Sequence, residues 1–230
     1  MSKYVWCEDT GAGYEFWLKI FEALDKDIIV RSKKNNTELR KAVERVTDDG
    51  NSYYIFMDAA MDNSDVLRET QRVNKIAEMK KNVFFVKIHS FEYSLLSFKK
   101  LEDWVFAKED ELKTKRTKFL AAREIFLRMV AEGISPEEQE RFFELTKYDV
   151  TKNSEQLASS LIKDITKNTG FATTKSKLGE CFVEDCCTWT KRQADDICGL
   201  DGEHLNSETK RKTIVMHSAL QNSLSEVGLL

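Results

Sequence analysis

At 230 residues the chain holds one medium domain, or a small domain with a helical extension. Its 33% charged residues are mixed in sign, and a net charge of −3 neither requires nor excludes a local nucleic-acid surface. No stretch approaches the roughly 20 consecutive apolar residues of a membrane-spanning helix, which excludes that class of membrane protein. The chain enters a strand directly, so no signal peptide is expected. Five cysteines, one of them in a strand of buried character, fit a reduced, cytoplasmic compartment.

The first strand, Tyr4-Val5-Trp6-Cys7, runs straight into Glu8-Asp9. A small-residue turn, Thr10-Gly11-Ala12-Gly13, leads to a helix with Phe16, Trp17, Ile20, Phe21 and Leu24 on one face, at spacings of three and four. Gly-x-Gly between strand and helix can cradle a phosphate on backbone amides. Here it lacks both the full dinucleotide fingerprint and the Lys-Ser/Thr of a phosphate-binding loop, so a plain tight turn is the simpler reading. A second strand, Asp27-Ile28-Ile29-Val30, opens into Arg31-Ser32-Lys33-Lys34-Asn35-Asn36 and a helix with Leu39, Ala42, Val43 and Val46 inward. Either asparagine can cap that helix. Lys33 and Lys34 are candidate nucleic-acid contacts, because a phosphate there meets the positive end of a helix dipole; the alternative is a solvated loop.

The stretch that organises the chain is the third strand. Tyr53-Tyr54-Ile55-Phe56-Met57 is a continuous apolar run of strand length, as in a parallel sheet covered on both faces, and it stops at Asp58, with Asp62 four residues later. Ligands of open parallel sheets sit beyond the carboxyl ends of the strands, where both Glu8 and Asp58 emerge. Asn63-Ser64 then starts a helix carrying Val66, Val73, Ile76 and Ala77, and Val83 to Ile88 forms a fourth strand. Three strand–helix alternations and a closing strand predict an α/β fold: a small, mainly parallel sheet with helices on both faces.

The fourth strand leads into His89-Ser90-Phe91-Glu92-Tyr93-Ser94-Leu95-Leu96. A strand ending in Glu8, a Lys/Asn-rich turn, a strand ending in Asp58 and this segment together resemble the Toprim fold, the metal-binding module of primases, topoisomerases and related nucleases. Within it, the chain most resembles the bacterial Toprim-like proteins that accompany an ATPase in phage-defence loci. The resemblance covers roughly residues 1–105. It implies a Toprim-like α/β domain there, and a metal-dependent nuclease with Glu8 and Asp58 as catalytic residues. It further implies Mg2+ or Mn2+ on Glu8, Asp58 and Glu92, nucleic acid as substrate, and an ATPase or other protein as partner. Asp62 is a candidate metal ligand by its nearness to Asp58, outside the family's own pattern, and an oligomer is compatible with the chain. Glu8 matches the family's glutamate after the first strand, a metal ligand or general base, and Glu92 the later acid of the defence branch. Asp58 matches the first aspartate of the family's Asp-x-Asp. The second falls on Ala60, and the glycine that follows the family's glutamate is Asp9. The alternative is therefore a catalytically degraded Toprim-like binding or regulatory subunit acting through a partner. Apart from any family, phosphodiester hydrolysis needs a cation to neutralise phosphate charge and activate water, and two or three carboxylates suffice to hold magnesium.

Residues 106–230 read as a mainly α-helical region. Leu101, Trp104, Val105 and Phe106 form an aromatic helical patch. Glu109 to Ala131 is a long helix whose Lys113, Lys115, Arg116, Lys118 and Arg123 make a basic stripe, read as a solvated face. Ser135-Pro136-Glu137-Glu138 predicts a capping box at the next helix, with Phe142, Phe143 and Leu145 inward. Leu157, Leu161, Ile162 and Ile165 mark another helix within residues 151–170, and residues 167–177 a surface loop. Cys181, Cys186, Cys187 and Cys198 lack the paired spacing of a zinc knuckle, and with Phe182, Trp189, Ile197 and Leu200 they predict buried thiols rather than zinc. A last helix, roughly Ser207 to Leu220, precedes a frayed end at Gly228-Leu229-Leu230.

Overall fold

The computed structural model describes residues 1–59, 62–174, 177–186 and 192–230. The apolar runs of the sequence become strands β1 (Lys3–Cys7), β2 (Ile28–Ser32), β3 (Ser52–Asp58) and β4 (Val83–Ile88). All pair in parallel, in the order β2-β1-β3-β4. The crossovers are α1 (Gly11–Leu24), α2 (Asn36–Glu44) and α3 (Ser64–Glu78). The expected α/β class, with a parallel sheet and helices on both faces, is what the chain forms.

Alternation along the strands decides which helix covers which face. Val5, Cys7, Tyr54 and Phe56 point to the α1 side, where Trp17 and Phe21 pack on the Phe56 ring at 4.9 and 5.5 Å. Tyr53, Ile55 and Met57 point the other way, onto Leu39 and Val43 of α2 and Val73 and Ala77 of α3. So β3 is buried on both faces, as its unbroken apolar run requires. The chain leaves β1 toward one face through α1 and returns to β3 from the other through α2. β1 and β3 therefore flank the point where the winding reverses.

The remaining helices are α4 (Phe91–Leu96), α5 (Leu101–Val105), α6 (Glu111–Ala131), α7 (Pro136–Thr146), α8 (Ser154–Thr166), α9 (Glu180–Val183), α10 (Ser207–Met216) and α11 (Leu220–Glu226). They extend the α1-side core without a break: α8 packs on α4 and α6, α10 on α1, and α11 against β4. Among the described residues no helix is long and apolar enough to cross a membrane.

Several local expectations change in the structure. Ser135 does cap α7 by accepting from the Glu138 amide, but Glu138 spends its carboxylate on Arg128, at 2.6 Å. The reciprocal capping box forms instead at α8, between Asn153 and Gln156. Arg123 is not part of a solvated stripe. It is buried and donates to the Leu96 and Phe98 carbonyls, pinning α6 to the turn between α4 and α5. The loop after α8 is no surface crossing, since Thr169, Phe171 and Thr173 are buried. The last helix is two, α10 and α11, and the end is docked: Leu229 is buried and its amide reaches the Leu224 carbonyl.

Candidate functional site

β1 and β3 are hydrogen-bonded neighbours, with Cys7 opposite Phe56, so their carboxyl ends open side by side. Glu8 and Asp58 meet there directly. The Glu8 carboxylate accepts the Asp58 backbone amide at 2.6 Å. Above this contact lies a cavity of about 980 Å³, lined by Glu8, Asp9 and Asp58 from the sheet edge, Glu92 from α4 and Glu155 from α8. It occupies the switch point of the winding, the position where open parallel sheets bind ligands.

Each acid is delivered by a local feature of the sequence. Glu92 sits in the first turn of α4, which Ser90 caps by accepting the Tyr93 amide. Asp9 folds back over the start of α1 and accepts the Trp17 indole N–H at 2.7 Å. That fold-back explains the glycine at position 13: a Cβ there would collide with the Asp9 carboxylate. Glu155 comes from the first turn of α8, nearly a hundred residues after Asp58, and the same helix face adds Ser159 and Lys163 to the wall.

Electrostatics bind the five acids into one unit. Burial, with Asp9 and Glu155 nearby, pushes the Glu8 carboxyl up to about 8. Burial, with Glu155 nearby, holds Asp9 at about 6 against the opposing Trp17 hydrogen bond. Burial and the charge of Asp9 raise Glu92 to about 7, and burial with Asp62 raises Glu155. Asp58 lies well above the usual carboxylate range, from burial and then the charges of Asp9, Glu8, Glu92 and Glu155. Desolvation and like charge act in the same direction throughout. Clustered carboxyls perturbed by burial and by one another, in a cleft, make this a candidate functional site.

Of the residues expected from sequence, Glu8, Asp58, Glu92 and Lys34 line the cavity. Lys33 does not; its ammonium stacks on the Trp6 ring at 3.8 Å. Asp62 also stands outside the lining. Its carboxylate accepts the Ser154 amide at 2.6 Å and the Ser154 hydroxyl at 2.9 Å. Ala60 lies outside the described residues. Asp9 and Glu155 were not anticipated. Asp9 was readable as a second acid at the end of β1, whereas Glu155 carries no signal beyond a helix first-turn glutamate.

The donor set is all oxygen, which suits a hard divalent cation such as Mg2+ or Mn2+. Charge suits one as well, since five acids share the cleft while Lys34, Lys152 and Lys163 stand around it. Convergence is incomplete: among the described residues no three His, Cys, Asp or Glu side chains are placed to hold one ion. Glu8 is turned onto the Asp58 amide and Asp9 onto Trp17, each taking the donor at hand. No protein-family model, curated protein or solved structure matches the chain.

Proposed function

We propose that the chain is a metal-dependent phosphodiester hydrolase, a nuclease of Toprim-like type, working at the cleft between the ends of β1 and β3. The observation that carries this reading is the gathering of Glu8, Asp9, Asp58, Glu92 and Glu155 around one cavity with lysines beside them. Glu8 and Asp58 would hold Mg2+ or Mn2+, with Glu92 or Glu155 completing the oxygen set. A bound divalent ion supplies phosphate neutralisation and an acidified water. The chain's own part is then to place and desolvate these groups. In the metal-free cleft burial pushes the Glu8 carboxyl up to about 8, and a bound cation would hold it ionised as a ligand. Lys34 and Lys152 meet the flanking phosphates of an extended strand. The described lining offers Thr, Ser, Asn and Gln side chains, and its one aromatic, Phe91, is buried, which favours backbone contact over base stacking. The ATPase partner and the phage-defence setting rest on the resemblance of residues 1–105 to that branch.

The second reading, a binding or regulatory subunit on the same fold, is favoured by the incomplete convergence of the carboxylates. Purified protein incubated with supercoiled plasmid, single-stranded DNA and RNA, with magnesium or manganese, separates the two. Cleavage that Asp58→Asn and Glu8→Gln abolish supports the hydrolase. Substrate binding without cleavage under either ion, and unchanged in Asp58→Asn, supports the binding module.

A further inference from the structure

Away from the cleft, α9 and the segment before Leu200 bring two thiols together: Cys181 Sγ and Cys198 Sγ are 4.0 Å apart and not bonded. Both backbones are held. The Cys181 amide donates to the Gly170 carbonyl, and the Ile197 amide to the Asn168 carbonyl. Gly199 presses on the carbonyls of Asp103 and Phe106, where a Cβ would collide with both. The sulfurs are therefore neighbours because of fixed backbone, not chance rotamers.

A second observation bears on the same place. Lys210 of α10 is fully buried, and its ammonium has no hydrogen-bond partner among the described residues. A buried amine without a hydrogen bond is costly, and anionic groups nearby relieve that cost; Asp185 is one within its reach. The groups within its electrostatic reach include both thiols, each of which it draws toward the thiolate. Cys181 keeps its proton and shares it with Cys198, while that hydrogen bond brings the Cys198 thiol down to about 7. Cys181 is buried but Cys198 is half-exposed, so a small oxidant reaches Cys198 first.

From this geometry we infer that Cys181 and Cys198 form a redox-active dithiol, with Lys210 as its buried counter-cation and a hydroperoxide as oxidant. The Cys198 thiolate attacks the terminal peroxide oxygen. The O–O bond breaks, sulfur gains oxygen as sulfenic acid, and the hydroxide or alkoxide leaves and takes up a proton. The Cys181 thiol, deprotonated as it reacts, then attacks the sulfenic sulfur. The S–S bond forms, the S–O bond breaks, and water departs. Two thiols are oxidised by two electrons and one peroxide is reduced. Closing the bond needs each sulfur to move about 1 Å by side-chain rotation, given a disulfide length of about 2 Å. The pair sits at the base of the loop that carries Thr173 and Thr174 to the cleft.

The test is a hydrogen peroxide titration of the full chain, with alkylation of the remaining thiols and peptide mapping. The expected result is a Cys181–Cys198 cross-linked peptide at the lowest effective dose, reversed by dithiothreitol. Cys7, fully buried in β1, should stay alkylatable only after denaturation. Lys210→Met keeps the stem and removes the charge; it should leave the protein folded and slow alkylation of Cys198 at pH 7, by about fivefold if the thiol rises by about one pKa unit. Cys198→Ser should leave Cys181 unmodified at the same dose. Cross-links through Cys186 or Cys187 in place of this pair would overturn the inference. So would stoichiometric zinc on the thiols of the purified protein, or an unchanged Cys198 rate in a folded Lys210→Met variant.

Discussion

The Asp62 carboxylate grips Ser154 twice, through its amide and its hydroxyl, and so fastens the loop after β3 to the first turn of α8. The contact joins positions 92 apart in sequence, and Glu155 is the very next residue. Asp62 thus acts as an external cap on α8, satisfying an otherwise orphan N–H and facing the positive end of the helix dipole. The contact fixes the first turn of α8, from which Glu155 reaches the cavity lining.

A ligand and a positioning residue fail differently. Asp62→Ala removes two charge-assisted hydrogen bonds and should cost about 1–3 kcal/mol. For a domain of this size that is a fall in melting temperature of about 2–4 °C per kcal/mol. Ser154→Gly should cost less, and a double-mutant cycle should show coupling, because the residues touch. The decisive measurement is metal-induced stabilisation. Asp62→Asn, which can still accept from Ser154, should retain it, and a complete loss would make Asp62 a ligand after all.

This relationship shows what a sequence discloses and what it hides. The sheet was legible because burial on two faces forces an unbroken apolar run, as in Tyr53 to Met57, and because strand–helix alternation leaves few topologies. Glu8 and Asp58 were legible as carboxylates where such runs stop. That β1 and β3 are neighbours was not, since pairing order is set by how crossovers pack. Asp62 looked like a ligand because proximity in sequence says nothing of which donor its carboxylate finds. Glu155 was hidden altogether, because a glutamate in a helix's first turn is ordinary until tertiary packing aims it.

Gly13 offers a sign test of the Asp9 assignment. Replacing a helical glycine by alanine normally stabilises, by about 1 kcal/mol. At position 13 the new methyl would meet the Asp9 carboxylate and displace it from the Trp17 indole. Gly13→Ala should therefore destabilise. Pairing it with Asp9→Ala, which vacates the space, should restore the ordinary gain. A stabilising Gly13→Ala in the wild-type background would show that Asp9 does not occupy the first turn of α1.

The raised carboxyls fix the direction of a pH effect. Glu8 at about 8, Glu92 at about 7 and Asp9 at about 6 all hold protons more tightly folded than unfolded, where such groups titrate near 4. Between those values the folded state binds more protons, so its stability falls as pH rises from about 4 toward 8. Buried His89, depressed by desolvation, opposes this below its ordinary value, but it is one group against several. Metal-free protein should melt lower at pH 8.5 than at pH 6, with a shallower dependence in Glu8→Gln. Equal melting temperatures in wild type and variant across that range would mean the acids are not mutually buried.

Divalent metal should reverse that penalty. In the ion-free cleft, each carboxylate that ionises raises the cost of ionising the next, chiefly around Asp58. Magnesium or manganese binding only the folded arrangement then raises the melting temperature by mass action and releases protons as the acids ionise. Below about pH 6 most of the cluster is protonated, so the shift should be small there and large at pH 8.5. Asp58→Asn should abolish it while leaving the metal-free protein at least as stable, because it removes the most strongly opposed charge. Glu155→Gln should reduce the shift and any cleavage while the fold persists, since the side chain stands at the cleft wall and not in the core. Manganese should stabilise more than magnesium, as an acid set that does not converge on one point suits the ion with the looser geometric demand. If neither ion shifts the melting temperature at pH 8.5, and protons are not released on adding them, the cluster is not a cation site. The cleft then binds its partner through Lys34, Lys152 and Lys163, without hydrolysis.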